Sequence, residues 1–185
     1  MRTSTLALPL AIALLMAGCT TTGGKDMLAA DAPRALPESG PVGVHWNDPA
    51  TFTELRHSRN RWDAERGNWV SELATYMRKR AEVLLPNGER LELTITDVDR
   101  AGDYEPWHGM QHQDTRIVRD IYPPRMTVQV RHFDASGALV SEGERKLSDP
   151  AFLLGTTPIN DSDPLRYEKR MIDSWLRREL NTASR

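Results

Sequence analysis

Cysteine is nearly absent from this sequence, since Cys19 is the only one among 185 residues. A single thiol cannot form an intramolecular disulfide, a cysteine-rich zinc site or an iron–sulfur cluster. The chain is long enough to bury a hydrophobic core in one domain without such cross-links. We therefore expect packing alone to hold the fold, and no cofactor is predicted.

Basic charge is also in short supply for a protein that binds nucleic acid. The chain has 24 Lys and Arg residues against 26 Asp and Glu residues, and the two signs are interspersed. Nucleic-acid-binding proteins usually carry a basic excess or stripe, so this class is excluded. Phosphate-binding loops, dinucleotide fingerprints and nucleophile elbows are missing too. A Ser–His–Asp triad stays open, because it is a spatial arrangement without fixed sequence spacing.

No apolar run is long enough to span a bilayer, but one near the start is typical of a signal peptide. Arg2 supplies a positive charge, and an uncharged apolar stretch follows over residues 6–17. Gly18 and then Cys19 come directly after it. This order is that of a bacterial lipoprotein processing site, although Met16 stands where such sites usually have Leu. We predict that residues 1–18 are removed and that Cys19 is lipidated.

The residue after Cys19 bears on the destination of the protein. By resemblance to other bacterial lipoproteins, Cys19 would carry three acyl chains, palmitate among them, which is enough for stable anchoring. In enterobacteria-like sorting, Asp at the next position retains a lipoprotein at the inner membrane, and this chain has Thr20 there. The resemblance implies the periplasmic side of the outer membrane, with a soluble periplasmic protein as the alternative.

Residues 19–41 contain few large apolar side chains and are rich in Gly, Ala, Pro, Asp and Ser. This composition is typical of a flexible tether. We therefore expect a lipidated, flexible segment that ends at residue 41 and lets the domain stand off the membrane. A single domain is predicted over residues 42–181.

Two helices are predicted within that domain. The first begins at its N-cap Asn60, carries Trp62 and Trp69 on its buried face, and ends before the turn-forming residues 86–88. The second begins at Asp163, which is followed by a proline suited to the first helical position. Both helices are amphipathic, so each is expected to cover one face of a sheet.

Four strands are predicted from alternating apolar residues, over 42–46, 90–98, 125–133 and 138–147. The alternation slips at Thr96-Asp97, which indicates a bulge or the end of the strand. The first two strands could be parallel, because a long helix connects them. The order predicts an α+β fold: a two-layer sandwich with an antiparallel or mixed sheet of about four strands and two helices on one face.

Several stretches together resemble a known family: residues 44–49 with Phe52-Thr53, residues 85–88, 94–102 and 116–125, and residues 167–171 with Trp175. The family is an uncharacterised group of small proteobacterial envelope proteins, defined as a domain of unknown function. The resemblance covers nearly the whole domain. It implies a secreted protein or lipoprotein with one α+β domain, and it carries no activity, cofactor or catalytic residue.

Two histidines in the polar region over residues 99–115 have metal-site spacing. On a helix, His108 and His112 would place two imidazoles on one face, which is half of a zinc site. Pro106 and Gly109 instead favour a loop, and no Glu lies between the histidines as in a metalloprotease motif. Two surface histidines are therefore the favoured interpretation, with metal binding as the alternative.

Several carboxylates lie at and just after the end of the predicted strand over residues 90–98. Asp97, Asp99 and Asp103, with Glu105 nearby, offer oxygen ligands for Ca²⁺ or a pair of carboxylates for acid–base hydrolysis. The spacing does not match an EF-hand. Turn formation and ion pairing with arginines are favoured over either type of chemistry.

Three arginines precede or begin the next strand. Arg116, Arg119 and Arg125 could hold a phosphate or carboxylate through their guanidinium groups. A structural network of arginines and aspartates that anchors the loop to the sheet is favoured. Trp107, alone in this loop, is either an interface anchor or a residue that fixes the loop.

These observations favour a non-enzymatic envelope lipoprotein whose domain binds another protein or an envelope component. A periplasmic module for a small ligand or metal is the first alternative, and a hydrolase is the second. The expected partners are the membrane, through the lipid anchor, and an envelope protein.

Overall fold

The architecture was obtained as a computed structural model, which describes residues 27–109, 113–154 and 162–183. Its main sheet contains strands β1 (Val42–Trp46), β2 (Arg90–Asp99), β5 (Arg125–Phe133) and β6 (Leu139–Ser148) in the order β1-β2-β5-β6. Strands β1 and β2 are parallel, and the other two pairs are antiparallel. Two-residue strands β3 (Asp103–Tyr104) and β4 (Arg116–Ile117) pair separately within the predicted loop. The predicted mixed sheet is confirmed.

Helices α3 (Trp69–Leu84) and α4 (Arg166–Ala183) cover one face of this sheet, as predicted. The sheet contributes the buried alternate residues of β2 and β5, such as Leu93, Ile95 and Val128, to the shared core. Burying this apolar face is the main source of stability in such a two-layer fold. Within the described residues, no helix is both long and apolar enough to cross a membrane.

The predicted phase slip in β2 is a β-bulge. The register against β5 shifts between Ile95 and Asp97, so that Val98 returns to the buried face. A bulge also turns the end of the strand. In this way Asp97 and Asp99 come to the end of the sheet where α1 (Thr53–His57) packs against β2.

The prediction of one helix starting at Asn60 was wrong. The chain forms a short helix α2 (Arg61–Glu65), capped by the Asn60 side chain, and begins α3 only at Trp69. Gly67 lies between them with a φ of 82°, a left-handed conformation that interrupts a helix and favours glycine. The break also takes Trp62 away from the core, so this side chain is exposed and not buried as predicted.

The N-terminal part of the chain packs closely where a tether to residue 41 was predicted. The Leu36 and Trp46 amides bond to the carbonyls of Val44 and Arg34, respectively, which places residues 34–36 along the outer edge of β1. The Arg34 guanidinium donates to the Met27 carbonyl at 2.7 Å, and Met27 is buried. The folded part therefore includes residues 27–36, because this segment packs along the sheet edge.

Candidate functional site

Helix α1 is held at the end of β2 by an aspartate from the bulge. The Asp97 carboxylate accepts hydrogen bonds from the Thr53 amide at 2.6 Å and from the Thr53 hydroxyl at 2.8 Å. The first amides of a helix lack partners within the helix, so a carboxylate there acts as a cap. Asp97, a candidate metal ligand from the sequence, thus caps α1 in the structure.

The next residue of α1, Glu54, is buried at the centre of an ion-pair cluster. Its carboxylate accepts from Arg116 Nη1 at 2.7 Å and Nη2 at 2.9 Å, and from Arg100 Nη2 at 2.9 Å. The Arg100 amide adds a fourth bond at 2.9 Å. Burial alone would raise the pKa of Glu54, but Arg100 and Arg116 together lower it below its usual value.

Arg116 fixes the turn that follows β2. Its remaining N–H groups donate to the carbonyls of Arg100, Ala101 and Gly102 at 2.8 to 3.0 Å. Burial opposes its charge, yet Glu54 outweighs this effect and raises the pKa of Arg116. Gly102 has a φ of 81°, and a Cβ there would lie 2.7 Å from the Ile117 carbonyl oxygen. A glycine is therefore required for the close approach of this turn to β4.

Helix α4 reaches the same turn through a second buried carboxylate. Glu168 Oε1 accepts from the Ala101 amide at 2.7 Å, while Oε2 is buried and has no hydrogen-bond partner among the described residues. Burial raises the pKa of Glu168, and the Ala101 amide only partly offsets this effect. The turn over residues 100–102 is thus connected to α1, β4 and α4 at once.

Above this cluster lies a cleft of about 220 Å³. Its walls come from the end of α1 with Ser58 and Arg59, from residues 99–103, and from residues 121–125. Among the described residues, its lining carries four arginines and three carboxylates, a net charge of one positive with histidine neutral: Arg59, Arg100, Arg116, Arg125, Glu54, Asp99 and Asp103. Residues 99–103, Arg116 and residues 121–125 of the predicted region therefore contribute to a concave, polar cleft.

Two half-exposed arginines stand at the cleft. Arg125 Nη1 donates to Asp99 at 3.1 Å, and Arg59 Nη1 pairs with Asp103. Burial and the nearby negative charge of Glu54 raise the pKa of Asp99, although Arg125 acts in the opposite direction. In the described part of the chain, the only hydrogen bond from each of these guanidinium groups is through Nη1.

Arg119 and Trp107 lie beside this cleft. Glu105 is buried and accepts from Arg119 Nη1 at 3.1 Å and from the Tyr122 hydroxyl at 3.0 Å, which joins the loop to residues 119–122. The Arg59 guanidinium lies 5.1 Å from the centre of the exposed Trp107 ring. The structure thus brings Trp107, Arg116, Arg119 and Arg125 to one end of the sheet.

The predicted metal ligands do not form a defined site among the described residues. The backbone of His108 lies in a short 3₁₀ turn, Pro106–His108. His112 and the predicted lipidation site Cys19 fall outside the described residues. Asp99 is paired with Arg125. Within the described ranges, no three His, Cys, Asp or Glu side chains are grouped closely enough to hold a metal ion.

The cleft also contains the residue types of a hydrolase. His57 and Ser58 line it together with Asp99 and Asp103. However, Ser58 Oγ accepts a hydrogen bond from the Asn60 amide at 3.2 Å. Across the described residues, no hydrogen bond joins Ser58 to His57. The groups are present without the nucleophile–base contact that acyl transfer requires.

Sequence reasoning missed Glu54, Arg100 and Glu168. A signal for Glu54 did exist, because this charged residue is placed between Phe52 and Leu55, which are both buried. The partners of these three residues lie 46 to 67 positions away along the chain, a pairing that local patterns cannot reveal.

Comparison with solved structures found a protein described as a putative lipoprotein from Caulobacter crescentus CB15. It shares 16% sequence identity with this chain at a TM-score of 0.36, over 60% of this chain and 80% of that one. A search of curated proteins found no match. A family model described as "Protein of unknown function (DUF3016)" matches residues 40–178, which is well over half of the chain. The resemblance to a family of unknown function is thus confirmed, and the chain belongs to the DUF3016 family.

Proposed function

We propose that this protein is a lipid-anchored binding module of the bacterial envelope whose cleft takes up a small anionic group, a phosphate or a carboxylate. The observation that carries the proposal is the net positive cleft with Arg59 and Arg125 half-exposed at it. A guanidinium has five N–H donors in a planar fork that matches both anions. Each of these two arginines donates a hydrogen bond to a protein carboxylate through one nitrogen, which leaves donors for a ligand.

The floor of the cleft supports recognition because it is fixed before any ligand arrives. Glu54 and Arg116 are joined by two parallel hydrogen bonds, and Arg116 also donates to three backbone carbonyls. Side chains held in this way lose little conformational entropy on binding, which favours affinity.

The size of the cleft limits the ligand. A volume of about 220 Å³ lies below the roughly 300–1,000 Å³ typical of pockets for drug-sized molecules. A phosphate, or the carboxylate end of a larger molecule, suits this space. We propose binding and not catalysis, because the carboxylates of the cleft are all held in ion pairs with arginines.

The envelope part of the proposal rests on the sequence. Residues 1–18 have the order of a lipoprotein signal, and Cys19 is the only thiol available for acylation. Thr20, in place of the Asp that retains lipoproteins at the inner membrane, supports the periplasmic side of the outer membrane as the destination. An envelope component or protein that presents an anionic group is then the partner.

Titration of the mature chain with inorganic phosphate and with succinate, followed by backbone amide NMR, tests the cleft. Residues 19–185 with Cys19→Ala are used, and shifts are expected at residues 57–59, 99–103 and 121–125. Arg125→Gln should weaken binding roughly tenfold, the loss of about one charge-assisted hydrogen bond. Arg131→Gln is the matched control, because Arg131 is a similarly exposed arginine of the same strand that pairs with Glu92. Equal effects of the two substitutions would contradict the proposal.

A further inference from the structure

Met27 lies at the same end of the molecule as the cleft. Arg34 lies beside the end of β1, where its guanidinium bonds to both Asp48 and the Met27 carbonyl. Strand β1 runs parallel to β2, whose own end carries Asp97 and the cleft. We call this end, formed by residues 53–66, 99–108 and 116–125, the cleft end. Met27 therefore enters the fold near the cleft end.

Large apolar side chains are exposed at the cleft end. Trp62, Trp107 and Ile121 are 65%, 60% and 59% exposed. Arginines accompany both tryptophans, since Arg66 lies 4.5 Å from the Trp62 ring centre and Arg59 lies over Trp107. Tryptophan and arginine are both enriched at surfaces that contact a partner. Tryptophan with arginine is typical of the interface between a membrane and water.

Covalent geometry limits how far this end can be from the anchor. Met27 lies eight positions after Cys19. A fully extended chain spans at most about 29 Å over eight residues. The folded part has about 150 residues, which corresponds to a diameter of about 40 Å. The opposite end of the sheet therefore lies beyond the reach of an anchored chain, whereas the cleft end lies within it.

We infer that the cleft end docks on the phospholipid surface that holds the anchor, and that the anionic group bound in the cleft is a lipid headgroup phosphate. Trp62, Trp107 and Ile121 enter the interfacial layer, and Arg59 and Arg125 meet the phosphates. Residues 56–66 contain four arginines and two carboxylates, a net charge of two positive that suits an anionic surface. This inference rests on the proposed anchor and cleft. It differs from the expectation drawn from the sequence, in which the domain stands off the membrane, because the domain is now held against the membrane surface.

Single introduced cysteines test the orientation in the lipidated protein. Acylated Cys19 carries no free thiol, so a spin label attaches only at the new site. Ile121→Cys and Trp62→Cys report on the cleft end. Val83→Cys and Val140→Cys are the matched controls, because these apolar residues are 70% and 57% exposed at the opposite end of the sheet. The labelled proteins are reconstituted in vesicles of phosphatidylethanolamine and phosphatidylglycerol, and collision with dissolved oxygen and with a water-soluble nickel chelate is measured.

Labels at positions 121 and 62 should become severalfold less accessible to nickel and more accessible to oxygen than labels at positions 83 and 140. Equal accessibility at all four positions, in protein whose Cys19 is shown to be acylated by mass spectrometry, would overturn the docking and leave the anchor standing. Protection of position 121 only after an envelope protein fraction is added would also overturn it, in favour of a protein partner. An unacylated Cys19 would contradict the proposed function itself, and the docking with it.

Discussion

Replacing Glu54 by Gln should destabilise the protein far more than an exposed carboxylate substitution. The Glu54 carboxylate accepts four hydrogen bonds, three of them from guanidinium groups, in a position that water does not reach. Glutamine keeps the shape but turns one acceptor oxygen into an amide donor, which faces N–H groups of Arg100 and Arg116. Two arginines are then left in a buried site without a countercharge.

The size of the effect follows from the burial of the cluster. Breaking a buried ion pair by removing one partner costs roughly 3–5 kcal/mol, because the remaining charge is desolvated and unpaired. An exposed carboxylate between two arginines contributes at most about 1 kcal/mol. Glu92 provides that comparison, because it pairs with Arg90 and Arg131 on the open face of the sheet.

Urea denaturation of the Glu54→Gln and Glu92→Gln variants measures both free energies of unfolding. The expected loss is roughly 3–5 kcal/mol for the first and about 1 kcal/mol or less for the second. Because the pKa of Glu54 is lowered in the folded state, its contribution is present above the usual carboxyl pKa of 4.5 and is lost as the pH falls through the lowered value. A Glu54→Gln variant as stable as Glu92→Gln would refute the central role assigned to this cluster.

Three further outcomes are expected. The pKa of Glu168 is raised in the folded protein, so its stabilisation is present below the usual carboxyl pKa and is lost as the pH rises through the raised value. The Glu168→Gln variant should therefore have a higher free energy of unfolding relative to wild type at about pH 8 than at about pH 4. A difference between variant and wild type that does not change with pH would contradict this. Asp97→Ala should lower the free energy of unfolding by roughly 1–2 kcal/mol, because α1 loses its cap. Calorimetry measures this change, and an unchanged stability would contradict the capping role. Mass spectrometry should find an acylated Cys19, and Cys19→Ala should move a folded protein to the soluble fraction; an unmodified N-terminus further along the chain would refute the anchor.

The sheet could be predicted because its signals are local. Alternation in β2 and β5 identified the buried residues, and the slip at Thr96-Asp97 identified the bulge. The first helix was harder, because a single glycine is often tolerated within a helix. Only the left-handed conformation of Gly67 shows that the helix breaks there, and Trp62 was placed in the core as a result.

The structure brings the predicted site residues that it describes to one end of the sheet, but the partners of the arginines were not predictable from the sequence. The network of arginines was expected to involve aspartates, whereas Arg116 pairs with Glu54, 62 positions away. Such pairs form because the fold brings α1 onto the end of β2, which no sequence spacing records. The polar region over residues 99–115, predicted as a loop, also contains strand β3, which pairs with β4.

A crystal of the mature protein soaked in tungstate would test the anion-binding cleft most directly. Tungstate is a tetrahedral dianion like phosphate, and its metal gives a strong anomalous signal that positions it unambiguously. An anomalous peak within hydrogen-bonding distance of Arg59 or Arg125 is predicted, and it should weaken in Arg125→Gln but not in Arg131→Gln. An empty cleft beside peaks elsewhere on the surface would contradict the proposal that this cleft binds an anion.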